Sequence, residues 1–190
     1  MGRQFHPALY LALFGSAILI AVGAGWFFAQ QTTEQTNGEL STTRYEAPSF
    51  EKLEVHLYFG DSQGRYLTAE QRVVDRPADA VAFGRRILSA LLEGPKQGAT
   101  PTLPQGVGLR ALYIMADGTA YVDFVSGSFE NHPGGVACEL LSIYSIVNTL
   151  VLNVEEIRTV KILIGGQEAA TLAGHVDLSH PFKADMLWVR

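Results

Sequence analysis

Cysteine is almost absent from this chain of 190 residues, in which Cys138 is the only one. A single cysteine excludes a disulfide within the chain and any metal site built from several thiolates. Basic residues are also sparse: 14 Lys and Arg stand against 19 Asp and Glu, and only Arg85-Arg86 brings two of them together. Because no basic stripe is present to attract a phosphate backbone, we expect no nucleic-acid partner.

Charge is missing altogether from residues 9–29, which read LYLALFGSAILIAVGAGWFFA. Roughly 20 apolar residues, each rising 1.5 Å, span the hydrocarbon core of a bilayer, so the sequence predicts a single transmembrane helix. A cleaved signal peptide is the alternative, although its apolar region is usually shorter than this one. The residues that we expect to anchor the helix at its two ends are Leu9, Tyr10, Trp26, Phe27 and Phe28.

The flanks of this segment suggest an orientation and a domain order. Arg3 precedes it, whereas the following stretch carries mainly glutamates, which favours cytoplasmic residues 1–8 and an exported body. Residues 30–50 are rich in Thr, Gln, Glu and Ser with no apolar period, and we interpret them as a flexible polar tether. A globular domain over 51–185 and a short tail over 186–190 complete the predicted organisation.

Two periodicities alternate within the body. Apolar and polar residues alternate where we predict strands, and apolar residues recur every three or four positions where we predict helices. Two helices packed on a small mixed or antiparallel β-sheet, an α+β fold, is the architecture that this order favours. The predicted elements are strands 53–59, 65–68, 71–74, 109–115, 119–125 and 158–164, helices from Pro77 to Gly94 and over 135–152, and an extended segment 175–178.

Candidate catalytic residues are few and lack a recognised scaffold. Cys138 lies among apolar residues, so we interpret it as a small core thiol. His175 and Asp177 are two apart, and on a strand they would share a face as a base and its orienting carboxylate, with Ser179 and His180 beside them. No G-x-S-x-G or H-E-x-x-H motif accompanies them, and surface polar residues are the favoured interpretation.

The remaining histidines and carboxylates have structural explanations. On the first strand, His56 is expected to face solvent or a helix edge. His132 is expected in a loop, and the histidines lack the spacing of a zinc site. Asp117 fits the turn Ala116-Asp117-Gly118, and Asp123 fits the exposed side of the next strand, so we do not expect a carboxylate pair for glycan hydrolysis. We therefore expect no enzyme activity, no metal and no cofactor.

Three segments are candidates for contact with a partner. Residues 94–108, GPKQGATPTLPQGVG, form either a proline-braced wrap over the sheet or a partner-contact loop. Phe129, in a polar loop, either fastens that loop to the core or is an exposed anchor. Two polar residues inside the second helix either bond a neighbouring backbone or face a partner. The candidate contact residues are Pro101, Pro104, Phe129, Asn148 and Thr149.

The body resembles the GerMN domain of sporulation and germination proteins over residues 53–182. Motifs in the matching order carry the resemblance: VHLYFGDSQGRYL at 55–67, LLEGP at 91–95, LPQG at 103–106, DGTAYVDF at 117–124, YSIVNTL at 144–150, VKILIGG at 160–166 and GHVDLSHPF at 174–182. In this sequence we expect one such module, with a helical rather than a lipid anchor.

The resemblance implies a non-catalytic module, similar to ring-building modules, that takes part in protein assembly at the bacterial envelope. The implied location is the inner membrane, crossed once, with the domain outside the cytoplasm. Other envelope proteins are then the expected partners, and self-association into a homo-oligomer is compatible with this role. The alternative is a module that binds peptidoglycan through tyrosines such as Tyr58, Tyr66, Tyr113 and Tyr121, and a hydrolase of envelope polymers is the least favoured hypothesis.

Overall fold

The computed structural model describes residues 51–190. Among these residues, no helix combines the length and the apolar character that crossing a membrane requires. Three sequence-based predictions lie outside the described residues. They are the cytoplasmic residues 1–8, the tether of residues 30–50, and the membrane anchor with its Leu9, Tyr10, Trp26, Phe27 and Phe28.

Within residues 51–190, strands and helices follow the predicted α+β order, with two helices among mixed strands, and this prediction is confirmed. The strands divide into two sheets, one of two strands and one of four. The elements are β1 (Glu51–Gly60), β2 (Leu67–Arg76), α1 (Ala80–Leu92), β3 (Leu109–Ile114), β4 (Thr119–Phe124), α2 (Val136–Val151), β5 (Thr159–Ile164), β6 (Gln167–Glu168) and a 3-10 helix (Met186–Trp188).

β1 and β2 form the two-stranded antiparallel sheet, in unbroken register from Glu51 opposite Arg76 to Gly60 opposite Leu67. The sequence predicts two short extended pieces in place of β2, and this is wrong, because β2 is one strand of ten residues. The apolar pattern breaks at Glu70, yet Glu70 is buried within the strand. The Glu70 carboxylate therefore takes a core position that the pattern assigns to an apolar side chain.

The sequence predicts a helix that begins at Pro77, and this is wrong, because α1 begins at Ala80 and its capping residue also lies beyond Pro77. Asp79 is that N-cap, and its carboxylate accepts a hydrogen bond of 2.7 Å from the N–H of Ala82. The helix ends at Leu92, and Gly94 follows with φ of 84°, as predicted for a glycine stop. One face is buried, through Phe83, Gly84, Ile87, Leu88, Ala90 and Leu91.

The four-stranded sheet has the order β3-β4-β5-β6. β3 and β4 pair antiparallel around the predicted turn, where the Asp117 carboxylate accepts a hydrogen bond of 2.8 Å from the N–H of Thr119. β4 and β5 pair parallel, with α2 between them in the chain, and β6 adds a short antiparallel edge after Gly165-Gly166. The sheet is therefore mixed.

The predicted extended segment 175–178 is not a strand. It contributes one isolated bridge, between Thr171 and Asp177. The N–H groups of His175 and Val176 donate instead to the carboxylate of Glu139 on α2, at 2.9 and 3.1 Å. A side chain therefore takes the hydrogen bonds that a neighbouring strand would otherwise take.

One hydrophobic core joins both sheets to both helices. α2 packs on β1 and β5, α1 packs on β1, β2 and β3, and the two helices pack on each other. The C-terminal residues 186–190, expected as a tail, also pack on the body: Trp188 stacks on Tyr144 with ring centroids 5.7 Å apart. The largest fully buried side chains include Leu57, Phe59, Phe124, Ile87, Ile143, Ile146, Leu150, Ile162 and Leu178.

Candidate functional site

The polar side chains of α2 are buried rather than solvent-facing. The sequence places Glu139, Ser142 and Ser145 away from the apolar arc of this helix, but all three are fully buried, as are Asn148 and Thr149. The helix is therefore enclosed on nearly all sides over its central turns. Buried polar groups need hydrogen-bond partners, and here the partners are mainly backbone groups of distant segments.

A row of polar side chains pairs the free edge of β1. Ser145 Oγ donates to the carbonyl of Tyr58 at 2.5 Å, and Thr149 Oγ1 accepts from the N–H of Tyr58 at 3.1 Å. Four residues further, Asn153 bonds both the N–H and the carbonyl of His56, at 3.0 and 2.8 Å. Residues four apart lie on one side of a helix, so these side chains act as a substitute for a neighbouring strand.

Asn148 holds the C-terminal segment in a similar way. Its amide nitrogen donates to the carbonyl of Asp185 and its amide oxygen accepts from the N–H of Asp185, both at 3.0 Å. With Thr149 bonded to Tyr58, both residues satisfy backbone groups of neighbouring segments, and that interpretation is confirmed. Neither side chain is exposed in this structure.

Glu139 is the most heavily bonded of these groups. Besides its two backbone bonds, its Oε1 lies 2.6 Å from His175 Nδ1. Burial alone would raise the pKa of Glu139, but the N–H groups of Val176, Ala173 and His175 and the His175 ring together hold that pKa below its ordinary value. The carboxylate is therefore ionised at neutral pH and fixes the 173–176 loop.

The structure separates the candidate pair His175 and Asp177. His175 faces Glu139, whereas Asp177 accepts from the N–H of Ser179 at 2.8 Å and from Ser179 Oγ at 2.9 Å. Ser179 Oγ also lies 2.8 Å from His180 Nδ1. A triad needs the imidazole between carboxylate and hydroxyl, but here the hydroxyl lies between the other two, so Asp177 cannot orient His180 as a base.

A second serine–histidine contact, not anticipated from the sequence, lies beside α2. His132 Nδ1 accepts from the N–H of Gly134 at 3.0 Å, so Nε2 carries the proton that it shares with Ser142 Oγ at 2.9 Å. Ser142 in turn donates to the carbonyl of Thr102. Burial lowers the pKa of His132, whereas the nearby Glu139 carboxylate raises it to a smaller extent. Because the His132 imidazole donates its proton to the Ser142 hydroxyl, it cannot remove the proton of that hydroxyl.

Cys138 and Asp123 both depart from expectation. Cys138 is exposed rather than a core thiol, because it lies in the first turn of α2, where Val136 and Ala137 also face solvent. Asp123 is buried rather than on the exposed side of β4, because it pairs with Arg110 and accepts from the N–H of Gly166 at 2.8 Å. Within residues 51–190, no three His, Cys, Asp or Glu side chains cluster as metal ligands would.

The first half of the 94–108 loop is fastened to the body by hydrogen bonds. The buried Glu70 carboxylate accepts from the N–H groups of Lys96 and Gln97, both at 2.8 Å. Thr100 and Gly60 exchange two backbone hydrogen bonds of 2.8 Å. These bonds support the interpretation of this loop as a braced wrap over the sheet.

This loop also encloses a cleft of about 350 Å³. The candidate contact residues Pro101 and Pro104 both line it, together with Phe59 and the C-terminal end of α1. Thr102 lies in the same lining, and its Oγ1 is buried without a hydrogen-bond partner among the described residues. A buried unpaired hydroxyl is uncommon in folded proteins.

The aromatic candidates have different environments. Phe129 is buried, edge-on to Phe124 with ring centroids 5.2 Å apart, so its ring fastens the loop to the core and is not a surface anchor in this structure. Tyr58 is buried, and the Arg190 guanidinium covers Tyr66 at 4.6 Å.

Two tyrosines remain at the surface. Tyr113 on β3 is 55% exposed and lies directly opposite Tyr121 on β4, which is half-buried.

Comparisons with known proteins agree on one family. The family model described as "Germane: Sporulation and spore germination" matches residues 56–170, which confirms the resemblance found in the sequence. No curated protein matches the chain.

Several solved structures are similar to this chain, and two of them are described here. A putative lipoprotein from Clostridium perfringens has a TM-score of 0.50 and 21% identity, over 71% of this chain and 88% of that one. The tandem GerMN domains of the sporulation protein GerM from Bacillus subtilis give a TM-score of 0.54 and 23% identity, over 70% of this chain and 46% of that one. At these identities the likeness supports the fold alone.

Proposed function

Because this chain belongs to the Germane family of sporulation and spore germination proteins, we propose that it is a non-catalytic interaction module that contributes to the assembly of a protein complex in the bacterial cell envelope. In this proposal, residues 9–29 anchor the chain in the inner membrane by a single pass and residues 30–50 tether the domain outside the cytoplasm. The similar structures come from a putative lipoprotein and a sporulation protein, which is compatible with an envelope location.

The observation that carries the proposal is that the polar side chains of α2 are buried and hydrogen-bonded within the fold. Glu139, Ser142, Ser145, Asn148 and Thr149 are all buried and bonded to backbone groups of other segments. A nucleophile needs a free base within hydrogen-bond reach, and these groups are already committed to holding the fold. The outer surface is then what remains for function, which favours recognition over catalysis.

A tether makes weak recognition sufficient. A domain confined near a membrane by a short flexible segment meets other envelope proteins at a raised effective concentration. Contacts that are too weak to persist in dilute solution can therefore form at the membrane. For this reason the partner is best captured in the cell rather than after extraction.

In-cell photo-crosslinking tests the proposal. A photoreactive amino acid replaces one surface residue at a time in the full-length protein, at Gln105 beside the cleft, at Tyr113 on the four-stranded sheet and at Leu152 beyond α2. We expect crosslinks to one envelope protein, identified by mass spectrometry, from the positions that lie on the contact face. The other positions should give no crosslink to that protein. Samples without irradiation are the control. Equal, nonspecific products from all three positions would contradict the proposal.

Binding of envelope glycan is the second candidate, favoured by the exposed Tyr113 beside Tyr121. Aromatic rings on a sheet face are apolar surfaces with polar hydroxyl tips, suited to the faces of sugar rings. Sedimentation of the full-length protein with purified peptidoglycan tests it, with Tyr113→Ala as the site variant and Tyr66→Ala as the control. Loss of sedimentation in the first variant alone supports this candidate, whereas no enrichment of the wild type in the pellet removes it.

A further inference from the structure

The two edges of the two-stranded sheet differ in how they are covered. Side chains of α2 and the backbone of Thr100 bond the outward groups of β1, whereas residues 51–190 leave most of the outer edge of β2 open. We infer that this edge pairs with the same edge of a second copy of the chain, antiparallel and about a two-fold axis at Val73. Self-association of this kind goes beyond the proposed contact with envelope proteins and does not depend on it.

Hydrogen bonds at two positions show which backbone groups of β2 point away from β1. The carbonyl of Leu67 accepts from the N–H of Arg190 at 2.9 Å, and the carbonyl of Gln71 accepts from Gln97 Nε2 at 3.4 Å. Along an antiparallel strand, residues alternate between those that bond one neighbour and those that face the other side. The outward-facing residues of β2 are therefore Leu67, Ala69, Gln71, Val73 and Asp75.

Little covers this edge within residues 51–190. Apart from the bond of Arg190, the long contact of the Gln97 amide is the one hydrogen bond that these residues place on it. Val73 lies in the open stretch, and its side chain is 61% exposed. Natural proteins usually protect an exposed strand edge with a bulge, a proline or a charge. β3 has such an irregularity between Leu109 and Ala111, whereas the register of β1 and β2 is unbroken, so β2 presents an intact edge for pairing.

The side chains of β2 are complementary to themselves when the axis passes through Val73. The two Val73 side chains then face each other across the axis, and a pair of β-branched residues is favourable in a sheet. Gln71 of each copy lies opposite Asp75 of the other, and Glu70 lies opposite Arg76. No like charges oppose each other in this register. The outward-facing pairs exchange both of their backbone hydrogen bonds, as in any antiparallel sheet.

The adjacent registers place arginines against each other. With the axis moved to Arg72, the two Arg72 side chains lie directly opposite one another. With the axis moved to Val74, Arg72 of each copy lies opposite Arg76 of the other. Like charges that are directly opposite destabilise a strand pair. Charge therefore favours the axis at Val73 over the axes on either side of it.

The C-terminal segment excludes a further register and shows that this edge accepts another strand. Val189 forms a parallel bridge with Leu67, and Arg190 bonds the Leu67 carbonyl. With the axis at Gln71, Asp75 of the second copy would need the same carbonyl of Leu67, which is already occupied. Pairing about Val73 uses only residues beyond this segment and is compatible with it.

Disulfide crosslinking in cell membranes tests the inference with the full-length protein, in which Cys138→Ser removes the native thiol. In Val73→Cys, the two Cα atoms at the axis would lie about 5.5 Å apart, within the range of a disulfide. Glu54→Cys is the matched control, because Glu54 is exposed and lies opposite Val73 on β1. Its two copies would be about 14 Å apart, so after oxidation with copper phenanthroline we expect about tenfold more dimer from Val73→Cys.

A mixed experiment measures the register. Two differently tagged copies, both with Cys138→Ser, carry Gln71→Cys and Asp75→Cys respectively. They should crosslink to each other, whereas two Gln71→Cys copies, about 13 Å apart along the strand, should not. Adding Val73→Lys to both copies should reduce the mixed crosslink about tenfold, because two ammonium groups then meet at the axis. Tyr113→Lys, an exposed position on the other sheet, should leave it unchanged. Circular dichroism verifies that each variant is folded.

Several outcomes would overturn the inference. They are equal dimer yields from Val73→Cys and Glu54→Cys, a crosslink between two Gln71→Cys copies as strong as the mixed one, and a mixed crosslink that persists with Val73→Lys. Photo-crosslinks from a photoreactive amino acid at position 73 that reach only residues 30–50 of the same chain, or only an envelope protein, would also overturn it. The photo-crosslinks from Gln105, Tyr113 and Leu152 test the envelope partner separately, so failure of the inference leaves the proposed function standing.

Discussion

Tyr58 and Thr149 lie 91 positions apart in the chain, yet the backbone N–H of Tyr58 donates a buried hydrogen bond of 3.1 Å to Thr149 Oγ1. The carbonyl of the same tyrosine accepts from Ser145 Oγ, so α2 satisfies both backbone groups at this point of β1. An uncovered strand edge is a template for unwanted pairing. The polar side chains of α2 therefore close the two-stranded sheet on one side and join it to the rest of the core.

Replacement of Thr149 by Val tests this closure. The change keeps the shape of the side chain but leaves the buried N–H of Tyr58 without its partner, which costs about 1–3 kcal/mol. We expect the free energy of unfolding to fall by that amount, measured by chemical denaturation of the full-length protein in detergent. Hydrogen exchange at the Tyr58 amide should become faster, whereas Thr149→Ser should retain most of the stability.

Thr159→Val is the control for this prediction. Thr159 is half-buried on β5, and its hydroxyl bonds only another hydroxyl, that of Thr119, at 3.2 Å. Its loss should change the free energy of unfolding by about 0.5 kcal/mol or less. Equal losses in Thr149→Val and Thr159→Val would show that the strand edge does not depend on Thr149.

Local patterns predicted the elements well because each element is encoded within its own segment. The turn at Asp117-Gly118 and the stop at Gly94 depend on residues next to each other, and both are present. The polar residues of α2 could not be placed in this way, because periodicity treats a polar side chain as exposed. Whether Ser145 is buried depends on the backbone of Tyr58, which is 87 positions away.

The candidate site shows the same limit. Pro101 and Pro104 were identified from a long loop without periodicity, and they do line the cleft. Thr102 between them carried no signal, because an unpaired hydroxyl is a property of the folded surroundings. For Cys138 the sequence gives a misleading signal. Its neighbours in the sequence are apolar and predict a core position, but the first turn of α2 lies at the surface.

Replacement of Gly84 by Ala tests the close approach of α1 to β3. A Cβ at this position would lie 2.6 Å from Leu112 Cδ2, which is too close for a buried contact. The gain in helix propensity is about 1 kcal/mol, whereas overpacking a core costs about 1–3 kcal/mol. We therefore expect a lower melting temperature. Adding Leu112→Val removes the clashing atom and should restore part of the loss, and a higher melting temperature for Gly84→Ala alone would contradict this account.

Glu139 should make stability depend on acid pH. Its pKa is lowered on folding from an ordinary value of 4.5, so its stabilising effect is complete above that value and is lost as the pH falls through the lowered pKa. Glu139→Gln should reduce the free energy of unfolding at pH 7 by about 1–3 kcal/mol. The difference from wild type should shrink below pH 4.5, measured by denaturation across the acid range.

The exposed Glu155 provides the control for Glu139, because Glu155→Gln removes one charge without removing a buried contact. We expect this variant to follow the wild-type curve within about 0.5 kcal/mol at every pH. A difference between wild type and Glu139→Gln that stays constant from pH 7 into the acid range would mean that the carboxylate is held by packing and not by its charge.

Cys138 allows a direct test of the proposed topology. It is the only cysteine of the chain and it is exposed, so a maleimide can modify the protein at one known position. If the body lies outside the cytoplasm, a membrane-impermeant maleimide should label intact spheroplasts, seen as a mass shift of the full-length protein, and Cys138→Ser should remove the label. A Gln4→Cys, Cys138→Ser variant should then be labelled only after lysis. Labelling of Cys138 that also requires lysis would place the domain in the cytoplasm and refute the envelope role.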